Sequence, residues 1–213
     1  MTVPTPLTST TTLRARIAVI DVMRGLVMLI MLFDHVRETV FLHHQVGDPM
    51  DAAHVDPALF FTRLAAHVCA PMFVFLTGLS AWLYAHPAAG PRSAAGFLFK
   101  RGLLLVVLEL VFVNFAWMGT FMPAILYLQV IWVIGLAMMA LAVLHKLPLK
   151  ALVVLGVAII AGQHLFTWLR AEEGSLGYYL LTVLLQRGYL VADGAMKIKV
   201  SYPLLPWIGV IVL

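Results

Sequence analysis

The chain is poor in charged residues and in cysteine. Only 11% of its 213 residues are Asp, Glu, Lys or Arg, whereas 62% are hydrophobic, and the mean hydropathy is +0.99. Soluble domains carry roughly 25% charged residues, so this composition excludes an ordinary soluble protein and predicts an integral membrane protein. The single cysteine, Cys69, excludes an intrachain disulfide framework and a thiolate metal cluster. We interpret it as a small core residue.

The sequence also lacks the motifs of several classes of protein. It contains no nucleotide-binding glycine loop, no Gly-x-Ser-x-Gly turn and no nucleic-acid-binding module, so no nucleic acid partner is expected. The short alternating segments of a membrane β-barrel are missing as well. Several separate apolar stretches of spanning length instead predict an all-α, polytopic helical bundle in the lipid bilayer.

We predict six full transmembrane helices and a shortened seventh. Residues 1–13, rich in Thr and Pro, are expected to form a disordered cytoplasmic tail, followed by one transmembrane domain over 14–213. The last apolar stretch is shorter than the roughly twenty residues that a crossing needs, so the domain is expected to be incomplete at its C-terminus. The predicted helices cover about 17–43, 58–84, 97–117, 123–144, 148–169, 176–191 and 202–213.

The placement of Lys and Arg in this topology predicts its orientation. The positive-inside rule assigns the more basic side, together with the N-terminus, to the cytoplasm. Arg37, Arg63 and Arg170 lie on the other side, and Arg187 is left unassigned within the sixth helix. The residues on the more basic side are Arg14, Arg16, Arg24, Arg92, Lys100, Arg101, Lys146, Lys150, Lys197 and Lys199.

Ionisable residues inside the first predicted helix are the most informative feature. Asp21-Val-Met-Arg24-Gly25 is followed by Asp34-His35, and charges inside lipid are costly unless they face protein or water. The eleven steps from Arg24 to His35 return to within about 20° of one face, about 16 Å along the axis. We therefore predict a polar stripe, with Asp21 and Asp34 as structural support. An ion-pair seam that only holds helices together is the alternative.

The loop after this helix and the start of the next helix carry further candidates. Asp56 and Pro57 match the N-cap and first position of a helix, and His54 just before them could face an extracytoplasmic substrate or solvent. No tight spacing such as His-x-x-x-His occurs, so no metal is expected. Arg63 and His67 share one helix face, either on the substrate side or extended toward the membrane surface.

Three residues farther along predict how the second and third helices bend and pack. Pro71 lacks a backbone N–H and is expected to kink the second helix, and Gly78 marks a position where another helix can come close. Glu109 lies about 12 Å beyond Lys100-Arg101 in the third helix. Because a buried glutamate needs a partner, we predict that Glu109 faces the polar stripe of the first helix.

These residues resemble known membrane acyltransferases. Asp21-x-x-Arg24-Gly25, with ten residues between Arg24 and His35, and the segment Phe73-Val-Phe-Leu-Thr-Gly78 resemble the acyltransferase-3 type. A longer pattern over 16–213 resembles a bacterial branch of membrane proteins grouped with the catalytic domain of heparan-α-glucosaminide N-acetyltransferase. Its parts are Phe60-Phe61-Thr62-Arg63, His67-Val-Cys-Ala-Pro71, Lys100-Arg101 to Glu109, and Tyr202-Pro-Leu-Leu-Pro-Trp207-Ile-Gly209.

The resemblance implies a transmembrane acyltransferase domain in the bacterial inner membrane, with its oligomeric state left open. Such an enzyme moves an acyl group, expected to be acetyl, from cytosolic acetyl-CoA or another acyl-CoA to an extracytoplasmic carbohydrate acceptor. Arg24 and the pair Lys100-Arg101 match the basic positions of the family. With Lys197 and Lys199, they are expected to bind the CoA phosphates at the cytosolic mouth.

The resemblance also implies the catalytic residues. His35, which matches the first-helix motif, would accept a proton from the acceptor as it attacks the thioester. On physical grounds and not from the resemblance, Glu109 could orient the polar stripe and balance its charge. Heparan-α-glucosaminide N-acetyltransferase itself, a lysosomal enzyme, has an asparagine at the position of His35. Its catalytic histidine lies farther along the chain, in the following luminal loop. A loop histidine of this chain, His43, His44 or His54, is therefore the alternative base.

Two other classes of function remain compatible with the buried charges. The same Asp, Arg, His and Glu side chains could form the path of a proton-coupled small-molecule carrier, although no internal duplication of helices is evident. They could also belong to a membrane scaffold without chemistry. Labelling of an acceptor by acyl-CoA separates the enzyme from both alternatives.

Overall fold

The computed structural model is mostly helical, with 67% of the described residues in helices and 7% in strands. It describes residues 18–40, 50–88, 90–166 and 168–213, except for the side chains of residues 38–40. The helices are α1 (Ala18–Val40), α2 (Pro57–Ala66), α3 (Cys69–Ala85), α4 (Ala95–Leu108), α5 (Asn114–Met118), α6 (Val130–Leu144), α7 (Leu149–Gly162), α8 (Leu176–Leu184) and α9 (Leu204–Val212). A π-helix (Glu109–Val113) joins α4 to α5, and a 3₁₀ turn (Gln163–Phe166) extends α7. The strands are β1 (Ile125–Leu128), β2 (Gly188–Val191) and β3 (Lys197–Val200).

The start and the interruption of the second predicted helix are confirmed. Asp56 is the N-cap of α2, its carboxylate accepting the backbone N–H of Ala58 at 2.8 Å, and Pro57 is the first helical residue. The helix breaks after Ala66 and resumes as α3 at Cys69. Pro71 explains the break, because a proline ring clashes with the carbonyl four residues earlier and cannot donate to it.

The predicted all-α architecture is wrong in one part of the chain, where three short strands form a sheet in the order β1-β3-β2. Strand β1 pairs in parallel with β3, so that Ile125 lies opposite Lys197 and Tyr127 opposite Lys199. Strands β2 and β3 form an antiparallel pair with an irregular register. Residues 123–129 therefore do not belong to the fourth predicted helix, which begins as α6 at Val130.

The sixth predicted helix is also shorter than expected. As a result, α9 crosses the bundle in the direction opposite to the predicted one. Helix α8 has nine residues, about 13 Å, and the chain then turns back through β2 and β3. The core contacts fix the direction of α9: Val200, just before it, packs with Trp132 near the start of α6, and Ile211 packs with Leu141 near the end of α6. Helix α9 therefore runs parallel to α6, not antiparallel as the predicted topology requires.

This course overturns the predicted placement of Lys197 and Lys199. Both belong to β3, beside β1 and before the start of α6. Helix α4 ends beside the start of α6, where Glu109 meets Gln129. Arg101 lies level with the middle of α6, because its neighbour Gly102 faces Gly135. The predicted cytosolic mouth therefore lies on the side of Arg101 that is away from β3. The two lysines therefore lie on the same side as Arg37 and Arg63, and the predicted excess of basic residues on one side becomes smaller.

The helices pack closely where glycines meet. Gly102 of α4 faces Gly135 of α6, and a Cβ at Gly102 would lie 2.5 Å from the carbonyl oxygen of Gly135. Gly78 of α3 faces the backbone carbonyl of Ile211 in α9, where a Cβ would also collide. The prediction of close helix contact at Gly78 is therefore confirmed. The main core between these helices includes Val74, Leu98, Ala137, Met138, Leu141, Leu152 and Val212.

Two helical stretches in the described part of the chain are long and apolar enough to cross a membrane, Pro57–Ala85 and Leu149–Phe166. Helix α1 has 23 residues and is also of spanning length, although it carries several charges. Many of its apolar side chains are exposed, including Val19, Leu29 and Phe33. These features suit a membrane protein, while six complete crossings and the cytoplasmic N-terminus remain predictions.

Candidate functional site: an arginine-lined groove

Helix α3 fixes the side chain of Arg24. One terminal nitrogen of the guanidinium, Nη2, donates to the Ser80 hydroxyl at 2.5 Å and lies 3.5 Å from the Leu76 carbonyl oxygen. The Ser80 hydroxyl in turn donates to the same carbonyl at 2.6 Å. The carboxylate of Asp21, one helical turn away, is 3.9 Å from Nη1. Because both side chains of this ion pair are well exposed, it contributes little stability and neutralises Arg24 only weakly.

Arg24 and Arg101 line the same open groove, with a volume of about 470 Å³. The two arginines, both predicted to bind the cofactor, come from α1 and α4, far apart in sequence, and the structure brings them together. Lys100 is exposed and is not among the lining residues. The remaining lining residues are Thr77, Ser80, Ala81, Tyr84, Phe97, Leu98, Leu104, Leu105, Ile134 and Met138.

The groove has an excess of positive charge. Among the described residues, no Asp or Glu lines it, and no carboxylate forms an ion pair with Arg101 or Arg92. Apart from the hydroxyl groups of Thr77, Ser80 and Tyr84, the rest of the wall is apolar, so the guanidinium groups are less screened than in bulk water. Such a surface favours an anionic ligand with an apolar portion.

An alternating column of arginines and aromatic rings runs along one side of the groove and ends beyond it at Arg92, and we call it the Arg92–Arg101 column. The Cζ atom of Arg92 lies 3.5 Å from the ring centroid of Tyr84. Tyr84 stacks on Phe97 with centroids 4.4 Å apart, and the Cζ of Arg101 is 5.0 Å from the Phe97 centroid. These cation–π contacts hold both guanidinium groups in place without a carboxylate.

The charges near the other end of α1 are arranged differently and form what we call the Asp34 cluster. Asp34 is buried, and its two carboxylate oxygens accept hydrogen bonds from Arg37 at 2.9 Å and from Arg63 at 2.7 Å. Asp34, predicted as structural support, thus holds two arginines through ion pairs. This arrangement also means that Arg63, predicted on the substrate side, ties α2 to α1 through an ion pair.

The candidate histidines have separate surroundings. His35 is half-buried and packs edge-to-face against Trp117 of α5, with centroids 5.5 Å apart. His54 is exposed and pairs with Asp51 at 2.8 Å. His67 is exposed, and its Nδ1 is 2.7 Å from the backbone carbonyl oxygen of Arg63. The other loop candidates, His43 and His44, lie outside the described residues.

Glu109 does not lie where the sequence predicted. It is fully buried, and its carboxylate accepts the backbone N–H of Gln129 at 3.2 Å, at the start of α6. The backbone N–H groups of Ile131 and Trp132 also interact with it. A carboxylate at a helix N-terminus satisfies orphan donors and complements the helix dipole. The buried glutamate thus finds its partner in the backbone of α6 instead of a cation of α1.

Asn114 supports the same region. Its side-chain amide donates to the carbonyl oxygens of Glu109 and Tyr127, each at 2.8 Å, and its Oδ1 accepts the N–H of Tyr127 at 2.8 Å. The π-helix of Glu109–Val113 widens the turn just before it. Together Glu109 and Asn114 attach β1 and the start of α6 to this long helical stretch.

Sequence reasoning missed Ser80, Tyr84, Phe97 and Trp117. A serine in an apolar helix commonly bonds to its own backbone, and aromatic residues are common at helix ends, so neither provides a specific signal. In the described parts of the chain, no group of three or more His, Cys, Asp or Glu residues could hold a metal ion.

Comparison with known protein families gives a match that covers most of the chain. The family model described as heparan-α-glucosaminide N-acetyltransferase, catalytic, matches residues 16–213. No curated protein matches, and no solved structure matches. Since the family match covers nearly the whole sequence, the chain belongs to the family of the heparan-α-glucosaminide N-acetyltransferase catalytic domain.

Proposed function

We propose that this protein is a membrane acetyltransferase that takes an acetyl group from cytosolic acetyl-CoA and passes it to an extracytoplasmic sugar. The observation that supports the proposal is the largely apolar groove that Arg24 and Arg101 line together, with no carboxylate among its described lining residues. Membership of an acetyltransferase family supports transfer chemistry. Neither the structure nor the family gives support to the carrier alternative.

The groove suits the two chemical parts of acyl-CoA. Guanidinium groups bind phosphate oxygens through paired, charge-assisted hydrogen bonds, which assigns the diphosphate to Arg24 and Arg101. The apolar side chains of Leu104, Ile134 and Met138 line the same space and would contact the pantetheine arm. A volume of about 470 Å³ is within the usual range for sites that bind small molecules.

His35 is the proposed general base for the transfer. It lies about 16 Å from Arg24 along α1, a distance that the extended pantetheine arm can cover. The imidazole takes the proton from a sugar amine or hydroxyl as the nucleophile attacks the acetyl carbonyl. The carbon–sulfur bond then breaks, and the proton returns to the departing thiolate to give free CoA. Contact with Trp117 fixes the ring of His35.

Acetyl-CoA binding to the detergent-purified protein, measured by calorimetry, tests the donor site. Arg24→Ala and Arg101→Ala should each weaken binding about 10- to 100-fold, because each removes charge-assisted hydrogen bonds. Lys150→Ala is the matched control, since it removes a positive charge from the exposed start of α7, outside the groove. No acetyl-CoA binding by the folded wild type would refute the proposal.

Transfer itself needs a second measurement. Wild-type protein in liposomes should label a glucosamine acceptor from radioactive acetyl-CoA, whereas Arg24→Ala should label it only at raised donor concentration. Donor binding without any labelling of amine or hydroxyl acceptors would separate a CoA-binding membrane protein from an acetyltransferase.

A further inference from the structure

The geometry points to a second anion site at Arg92, and we propose that it recognises the ribose 3′-phosphate of the CoA donor. The inference rests on the proposed function, since it extends the same donor site. It concerns a part of the donor that takes no part in the chemistry, so the two ideas can fail separately.

Arg92 is held firmly but leaves part of its guanidinium available. Its Nε donates to the Tyr84 carbonyl oxygen at 2.6 Å, and its backbone N–H donates to the Ala85 carbonyl oxygen at 2.8 Å. The guanidinium lies against the Tyr84 ring. Its terminal nitrogens make no hydrogen bond or ion pair to any residue that the structure describes. The two terminal nitrogens can therefore donate a bidentate pair of hydrogen bonds to a phosphate.

The Arg92–Arg101 column separates two positive charges by a fixed distance. Tyr84 and Phe97 stack almost in parallel, with an interplanar angle of 11°, and each carries one guanidinium. Tyr84, Phe97 and Arg101 line the groove, whereas Arg92 lies beyond it, next to Tyr84. A ligand that uses both arginines must therefore carry anionic groups at two places.

CoA carries its anionic groups in that way, with a diphosphate in the chain and a separate phosphate on the ribose 3′ position. If Arg24 and Arg101 bind the diphosphate inside the groove, Arg92 is placed to bind the ribose phosphate at its edge. A single-phosphate ligand would leave one of the two sites empty. The column thus acts as a selector for CoA over dephospho-CoA.

The test compares the affinities of CoA and dephospho-CoA for the detergent-purified protein. Wild type should prefer CoA by about tenfold or more, the effect of one charge-assisted phosphate contact. Arg92→Gln, whose amide can still donate to the Tyr84 carbonyl, should lose this preference while binding dephospho-CoA as wild type does. Arg92→Lys, which keeps the charge, should retain part of the preference, and Lys150→Gln should retain all of it.

Each contrary result identifies what has failed. Equal wild-type affinities for the two ligands, or an undiminished preference in Arg92→Gln, would overturn the Arg92 site but leave acetyl-CoA binding at Arg24 intact. Failure of wild type to bind either ligand would overturn the proposed function as well. If Arg92→Gln changes only the retention of phosphatidylglycerol in mixed micelles, Arg92 binds a lipid headgroup and the inference is wrong.

Discussion

The arginine groove and the Asp34 cluster lie at different ends of α1 and use arginine in opposite ways. In the cluster, two guanidinium groups share one buried carboxylate, at 2.7 and 2.9 Å. In the groove, Arg24 has only an exposed carboxylate at 3.9 Å, and Arg101 has no ion-pair partner in the described residues. A paired cation is committed to holding helices together, whereas an unpaired one in an apolar wall is available to a ligand.

The difference teaches that one polar stripe can serve two purposes. From the sequence, Arg24, Asp34 and His35 form a single feature of the first helix. The structure separates them, since Arg24 contacts α3, Asp34 contacts α2, and His35 contacts α5. Variants at each position should therefore have distinct consequences for binding, stability and transfer.

The largest expected effect concerns the catalytic base. His35→Ala should lower the rate of acetyl transfer by roughly 10²- to 10⁴-fold, because a positioned general base contributes that much. Acetyl-CoA binding should stay unchanged, since the groove lies about 16 Å away along the helix. Initial rates at saturating donor, with His54→Ala as the comparison, check this. Loss of transfer in His54→Ala and not in His35→Ala would assign the base to the loop.

The next effect concerns the stability of the Asp34 cluster. Asp34→Asn leaves two arginines without their shared anion, so it should destabilise the folded protein by about 3 kcal/mol, as broken buried ion pairs do. Thermal unfolding in detergent measures the change, and Asp193→Asn, an exposed position, is the control. An unchanged melting temperature would mean that the cluster does not hold α1 against α2.

Salt should distinguish the two regions in wild type. Raising the ionic strength from about 0.1 M to about 1 M shortens the screening length from about 10 Å to about 3 Å. Acetyl-CoA binding should weaken several-fold, because its phosphates must reach the exposed arginines of the groove. The stability difference between wild type and Asp34→Asn should persist, since buried pairs are poorly screened. Salt-independent binding of acetyl-CoA would argue against phosphate recognition by arginine.

The smallest expected effect concerns the position of Arg24. Ser80→Ala removes the hydroxyl that accepts from the guanidinium and should weaken acetyl-CoA binding about fivefold, the worth of one hydrogen bond. Thr62→Val removes a hydroxyl that bonds only to its own helix, at the Leu59 carbonyl, and should leave binding unchanged. Equal affinities for Ser80→Ala and wild type would show that Arg24 needs no support from α3.

Much of the fold could be predicted from local features of the sequence. Apolar runs predicted most of the helices. Asp56-Pro57 predicted the start of α2, and Pro71 predicted the distortion of the second helix, because capping and proline geometry act within a few residues. The three strands could not be predicted in this way. Each has four residues, and they form because the fold pairs Ile125 with Lys197 although α6, α7 and α8 lie between them in sequence.

The candidate site likewise has features that follow from the local sequence and features that depend on contacts between distant segments. The sequence by itself determined a hydrophobic, membrane-type composition, the residues of the family motif, and Arg24, Lys100 and Arg101 as donor-site candidates. Only the tertiary structure decided that Arg101 and not Lys100 lines the groove, that Ser80, 56 residues from Arg24, supports it, and that Glu109 caps α6. The physical reason is that helix formation depends on neighbours in sequence, whereas a charge finds its partner through contacts between distant segments.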